Sequence, residues 1–255
     1  MLEHKKIQNL SDYFVELNSR REKGVYFYRI NGYSEEVGEF IKKYYDTARR
    51  TGVVIEGKIP NPDEGNLAYY NEIMGMDFQM SMDFIHVSLR KWLPRMNEFQ
   101  RQNVAASIYD SLDSLRKAGK TENMIRNAYI KFMCWLYYKF ERIVNQLGEN
   151  HIPKILYEGQ ISNYELMLIS ILSNVGCDVV LLQYAGDQGY LKTDPGSVLS
   201  DSLQMEGLQP FPQGYCVKKV RDEIQNELNN ERLYGIRPSL TNCTCLLYTS
   251  DAADD

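Results

Sequence analysis

Lys154-Ile-Leu-Tyr-Glu158, Gly159-Gln-Ile-Ser162, Glu165 through Val175 and Asp178-Val-Val-Leu-Leu-Gln-Tyr184 follow one another directly after Pro153. The first and last are short, apolar runs that read as strands. Between them Ser162-Asn-Tyr-Glu165 fits a capping box and Gly176 fits a helix stop. Strand, helix and strand within about thirty residues make a βαβ unit, which implies parallel pairing and a right-handed crossover. Val179-Val-Leu-Leu182 is apolar without alternation, the pattern of a strand buried on both faces.

The same alternation of elements extends toward the N-terminus. Val25-Tyr-Phe-Tyr-Arg-Ile30 is a strand run ending at the turn dipeptide Asn31-Gly32. Ser34 can cap a helix with Glu35 and Glu36 in its first turn and Val37, Phe40, Ile41, Tyr44 and Ala48 on one face, and Gly52 stops it. Val53-Val-Ile55 is a second short strand, followed by Ile59-Pro-Asn-Pro62, where two prolines force an extended loop. From about Phe84 to Leu147 the pattern is helical. One stripe runs Val104, Ile108, Leu112, Leu115 and another runs from Met124 to Leu147, with Lys117-Ala-Gly-Lys-Thr121 between them. A further amphipathic helix follows Gly214. These patterns predict an α/β fold: a Rossmann-like parallel sheet portion interrupted by an inserted antiparallel helical subdomain. The divisions are an N-terminal α/β piece over 1–75, helices over 76–150, a Rossmann-like βαβ piece over 151–240, and a tail over 241–255. The 180–240 region is expected to leave an apolar edge or face uncovered.

Composition narrows the classes. The chain has 255 residues, 44% hydrophobic and 25% charged, near the averages of folded globular chains. Net charge is −5, so no global basic field recruits nucleic acid. No run is long enough to span a membrane and no signal core follows the N-terminus, so a cytoplasmic protein is expected. The five cysteines and three histidines show no metal-ligand spacing, and reduced thiols and no metal are expected. The last eleven residues, from Cys245 to Asp255, resemble the translated read-through of a transposase sequencing adapter. They are expected to pack against nothing, the natural chain continuing past about residue 244. Asp251, Asp254 and Asp255 lie in that tail, and without them the net charge would be −2.

In an open parallel sheet, ligands bind outside the carboxyl ends of the strands. The loops there hold Arg29 and Asn31, then Glu158, Gly159 and Ser162, then Asp187. These six are the candidate ligand-binding residues. Gly159 lets a backbone come close, Ser162 starts a helix whose N-terminus favours an anion, and Arg29 offers a bidentate contact. Glu158 or Asp187 would take a ribose hydroxyl or act as a base. If Arg29 and Ser162 lie close together, Arg29→Ala is expected to weaken an anionic ligand and to leave fold stability nearly unchanged. There is no GxGxxG, no GxxxxGK[ST] and no GxSxG, so dinucleotide-binding, P-loop and α/β-hydrolase chemistry are disfavoured, and no cofactor or catalytic residue is named.

Several segments together resemble a family. Tyr28-Arg-Ile-Asn-Gly-Tyr33, Lys58-Ile-Pro-Asn-Pro62, Pro153-Lys-Ile-Leu-Tyr-Glu-Gly159 with Glu165, Gly176-Cys-Asp-Val-Val180, and Leu233-Tyr with Arg237-Pro238 are similar to the bacterial YceG-like family. Its members are described as components of a biosynthetic module encoded beside tellurite-resistance and chemical-stress proteins. The resemblance implies an N-terminal fragment of a longer protein. It also implies a stress-linked enzyme or enzyme subunit handling a nucleotide- or sugar-like small molecule. A non-catalytic adaptor, docking the module's enzymes through the helical subdomain, is the alternative.

Overall fold

The structure, a computed structural model, describes residues 2–62 and 67–234. Its strands are β1 Phe27–Ile30, β2 Val53–Glu56, β3 Lys154–Glu158, β4 Asp178–Leu182 and β5 Asp201–Ser202. The helices are α1 Glu35–Thr51, α2 Leu67–Met74, α3 Met82–Trp92, α4 Glu98–Lys117, α5 Glu122–Trp135, α6 Glu141–Val144, α7 Asn163–Val175, α8 Gln188–Leu191 and α9 Val217–Tyr234. All five strands are parallel and form one sheet in the order β2-β3-β4-β1-β5.

Handedness explains which helix covers which face. From β2 to β3, from β3 to β4 and from β4 to β5 the chain advances across the sheet in one direction, whereas from β1 to β2 it runs back. Right-handed crossovers then put α1 on one face and every other connection on the opposite face. The apolar clusters divide that way. Val37, Phe40, Ile41 and Tyr44 of α1 pack with Tyr28, Ile30, Leu156, Val180 and Leu182. Ile155, Tyr157, Val179 and Leu181 pack on the other face with α4, α5 and α7. Helices α2 to α6 are thus one long crossover from β2 to β3, and they share an apolar cluster with the sheet.

The βαβ unit occurs as read, with Ser162 and Glu165 forming a reciprocal capping box and Gly176, at φ +130°, ending α7. Three details differ from the sequence pattern. The β1 ladder starts at Phe27, because Val25 is engaged instead by the N-terminal segment in a bridge to His4. Helix α2 precedes the helical stripes, and α3 and α4 are separated by a break holding Pro94. The burial of β4 on both faces follows the sequence reading. β4 lies centrally, between β3 and β1, and is buried throughout, because α1 and the β2–β3 crossover, both earlier in the chain, cover its two faces.

A buried ion cluster aligns the amino ends of three strands. The Asp178 carboxylate accepts from Arg20 Nη1 at 3.0 Å, from the Tyr26 amide at 2.9 Å and from Lys154 Nζ at 2.6 Å. Burial lowers the pKa of Lys154, with Asp178 opposing the shift. No helix among the described residues is long and apolar enough to cross a membrane. The tail from Cys245 and the segment Arg237-Pro238 lie outside the described residues.

Candidate functional site

The carboxyl ends of β3 and β4 each pass into a glycine-containing turn, and the two turns bound a cleft of about 440 Å³. Gly159 and Gln160 line it from the first turn, and Gln183, Tyr184, Gly186, Gln188, Gly189 and Lys192 from the second. Gly159 has φ +117°, and a Cβ there would lie 2.6 Å from the Gly57 carbonyl oxygen, so conformation and close approach both demand glycine. Tucked beneath the turns, Gln183 is only 7% exposed. Its Nε2 donates to the carbonyls of Gly159 at 3.4 Å and Leu182 at 3.3 Å. Lys192 is exposed and has no ion pair among the described residues.

Strand register decides which candidate residues meet. Pairing aligns Arg29 with Leu181 and Glu158 with Leu182. Successive side chains on a strand point to opposite faces. Arg29 therefore points, with Leu181, to the α7 face, whereas Glu158 points, with Leu182, to the α1 face. The structure brings the two strands into one sheet and separates the two side chains.

Arg29 is 2% exposed and committed internally. Its Nη1 donates to the Ser200 carbonyl at 2.6 Å and to Ser200 Oγ at 2.8 Å, its Nη2 pairs with Asp187 Oδ2 at 3.0 Å, and the guanidinium lies 4.2 Å over the Tyr190 ring. Tyr190, its hydroxyl pushed up mainly by burial, donates to Asp194 and accepts from Ser200 Oγ. The expectation that truncating Arg29 would spare the fold is corrected, since a buried, paired guanidinium is a structural element. Asp187 sits between two cleft-lining residues, and its Oδ2 accepts from Arg29 Nη2.

On the other face, Glu158 Oε2 accepts from the Tyr184 hydroxyl and from the Val217 amide, which starts α9. A carboxylate there complements the helix dipole. Burial, aided by Glu158, raises the Tyr184 hydroxyl well above its ordinary range. Tyr33, Tyr184, Phe211 and Tyr215 pack edge to face or tilted around this point, with ring centroids 4.9 to 5.8 Å apart. Asn31 Nδ2 donates to Ser202 Oγ at 3.1 Å and joins the ends of β1 and β5. Ser162 is the exposed N-cap of α7, two residues beyond the cleft-lining Gln160.

The residues matching the assembled pattern extend over most of the chain. A family model described as the YceG domain matches residues 5–227. The chain belongs to the YceG domain family. No curated protein and no solved structure matches it.

In this YceG domain, one of the six candidate residues, Gly159, lines the cleft, and Ser162 and Asp187 adjoin it. Sequence reasoning missed Gln183, Gln188, Gly189 and Lys192 as site residues. A signal was present, since Gly186-Asp-Gln-Gly189 is separated from the end of β4 by three residues. The helix behind it, α8, spans four residues and is too short to show periodicity. A second cavity of about 500 Å³ runs beside β5, lined by Leu10, Tyr28, Glu36, Asp201 and Met205. It lies on the α1 face, where Glu36 stands in the first turn of α1 and Leu203 to Met205 follow β5.

Proposed function

We propose that this YceG domain is an enzyme or enzyme subunit, working in the cytoplasm within a stress-resistance biosynthetic module of the tellurite type, that binds a nucleotide- or sugar-like small molecule. The supporting observation is the cleft of about 440 Å³ at the carboxyl ends of β3 and β4. That is where open, Rossmann-like parallel sheets receive ligands, and its size lies within the ~300 to 1,000 Å³ of small-molecule sites. Thermal shift against a panel of nucleotides, nucleotide sugars and sugar phosphates tests this reading. A ligand at 100 times its dissociation constant adds about 2.7 kcal/mol to stability. Absence of a shift with every member of the panel would count against it.

A second reading rests on a different observation. Five of the eight exposed large apolar side chains among the described residues, Leu67, Met82, Val87, Phe99 and Met124, lie in α2 to α5. They favour the adaptor role, in which these helices act as an inserted antiparallel subdomain and dock the enzymes of the same module. Val87→Lys with Phe99→Lys would then abolish a pull-down of those enzymes and leave ligand shifts intact.

A further inference from the structure

The cleft at the ends of β3 and β4 has a chemical character that narrows its ligand. Three of its lining side chains are primary amides, Gln160, Gln183 and Gln188, three positions are glycine, and Lys192 is its one charged lining residue. Gln183 is more than nine-tenths buried. The two carbonyl oxygens beside one end of its amide fix that end as the NH2 group, since an amide oxygen would be repelled there. Its Oε1 is then the free acceptor, and it has no partner among the described residues. That oxygen is not sealed from solvent and stands open to the cleft, an acceptor available to a ligand's donor.

The charge pattern points the same way. The α7 N-terminus is already occupied by the Glu165 carboxylate, which accepts from the Ser162 and Ile59 amides and from the Tyr157 hydroxyl. The expectation that this terminus supplies the anion-binding charge therefore passes to Lys192. Flat apolar surface for a nucleobase is scarce: the Tyr184 ring already packs on Phe211 and Tyr215. Amides that donate and accept, set on glycine turns that admit close approach, suit hydroxyl groups rather than an aromatic face.

We infer that the cleft takes a phosphorylated sugar, whose hydroxyls are read by the Gln183 Oε1 and the Gln160 amide and whose phosphate is held by Lys192. This rests on the reading of the cleft as the ligand site. It goes further by assigning the substrate class and making Gln183 the specificity-determining residue.

Isothermal titration of the full chain with ribose 5-phosphate, glucose 6-phosphate, UDP-glucose, phenyl phosphate and inorganic phosphate tests it. At least one sugar phosphate is expected to bind tenfold or more tightly than phenyl phosphate. Gln183→Leu should reduce that preference to within twofold. Lys192→Ala should weaken every phosphate compound about fivefold or more and preserve the preference. Gln160→Leu, at an exposed position that cannot disturb the core, should reduce the preference at least threefold and covers the case in which Gln183→Leu does not fold. If phenyl phosphate binds as tightly as the sugar phosphates, or if both glutamine variants keep the preference, the sugar assignment is overturned while the cleft remains the ligand site. If Lys192→Ala changes nothing, or no compound binds the wild type, the reading of the cleft falls and the inference with it.

Discussion

Replacing Arg29 by methionine removes a buried charge while keeping an unbranched side chain over the Tyr190 ring. The lost ion pair is 3.0 Å long, with side-chain exposures of 2% for Arg29 and 17% for Asp187. At an effective dielectric near 20 the gross attraction is about 5 kcal/mol, most of it offset by desolvation. Breaking a buried pair costs about 3 to 5 kcal/mol, chiefly because the remaining partner stays buried and uncompensated. The residual exposure of Asp187 places Arg29→Met at the lower end, about 3 kcal/mol. Ser200 adds little, because its hydroxyl still donates to Tyr190 and its carbonyl still accepts from Ser197. The assay is urea unfolding of wild type, Arg29→Met, Asp187→Asn and the double variant, with the m-value checked for constancy. The double variant should be less destabilised than the sum of the singles, with a coupling energy of about 2 kcal/mol. A cost below 1 kcal/mol for Arg29→Met, with additive singles, would show that the pair does not hold the β1 and β4 ends together.

Gly159→Ala should destabilise by about 2 to 3 kcal/mol, from the left-handed backbone and the Gly57 carbonyl 2.6 Å from the new Cβ. Gly189→Ala, whose Cβ would lie 3.8 Å from the Gln160 amide, should be near neutral in the same denaturation series. Glu165→Ala removes the acceptor of three hydrogen bonds and should cost about 3 to 4 kcal/mol by unfolding calorimetry, with Glu165→Gln recovering at least half. His4, hydrogen-bonded to Ser173 Oγ at 3.0 Å, has its pKa lowered below the ordinary 6.5, mainly by burial. The unfolded chain therefore takes up that proton first, so its contribution is present above pH 6.5 and is lost as pH falls toward the folded-state value. The stability difference between wild type and His4→Gln, followed from pH 8 to pH 4, should shift in favour of the variant over that window.

The local elements were legible in the sequence because short-range rules set them. Alternating periods, the Ser162 to Glu165 capping box and the Gly176 stop located β3, α7 and β4, and the continuous apolar run of Val179 to Leu182 marked a strand buried on both faces. The family was legible because several short segments together carry the resemblance, and the family model matches residues 5–227. Elements too short to carry a period, such as α8 and the two-residue β5, left no such mark. What only the tertiary structure decided is which strand ends meet and on which face. Arg29 and Glu158 both stand at strand ends, yet parallel register and two-residue alternation send them to opposite faces, one into an ion pair and the other to the start of α9. A charged residue at a strand end reads identically in sequence whether it faces a ligand or closes an internal pair. The cleft instead belongs to Gln183, Gln160 and Lys192, residues without a motif, because their common position depends on β3 and β4 lying side by side and on a four-residue helix folding back over their ends.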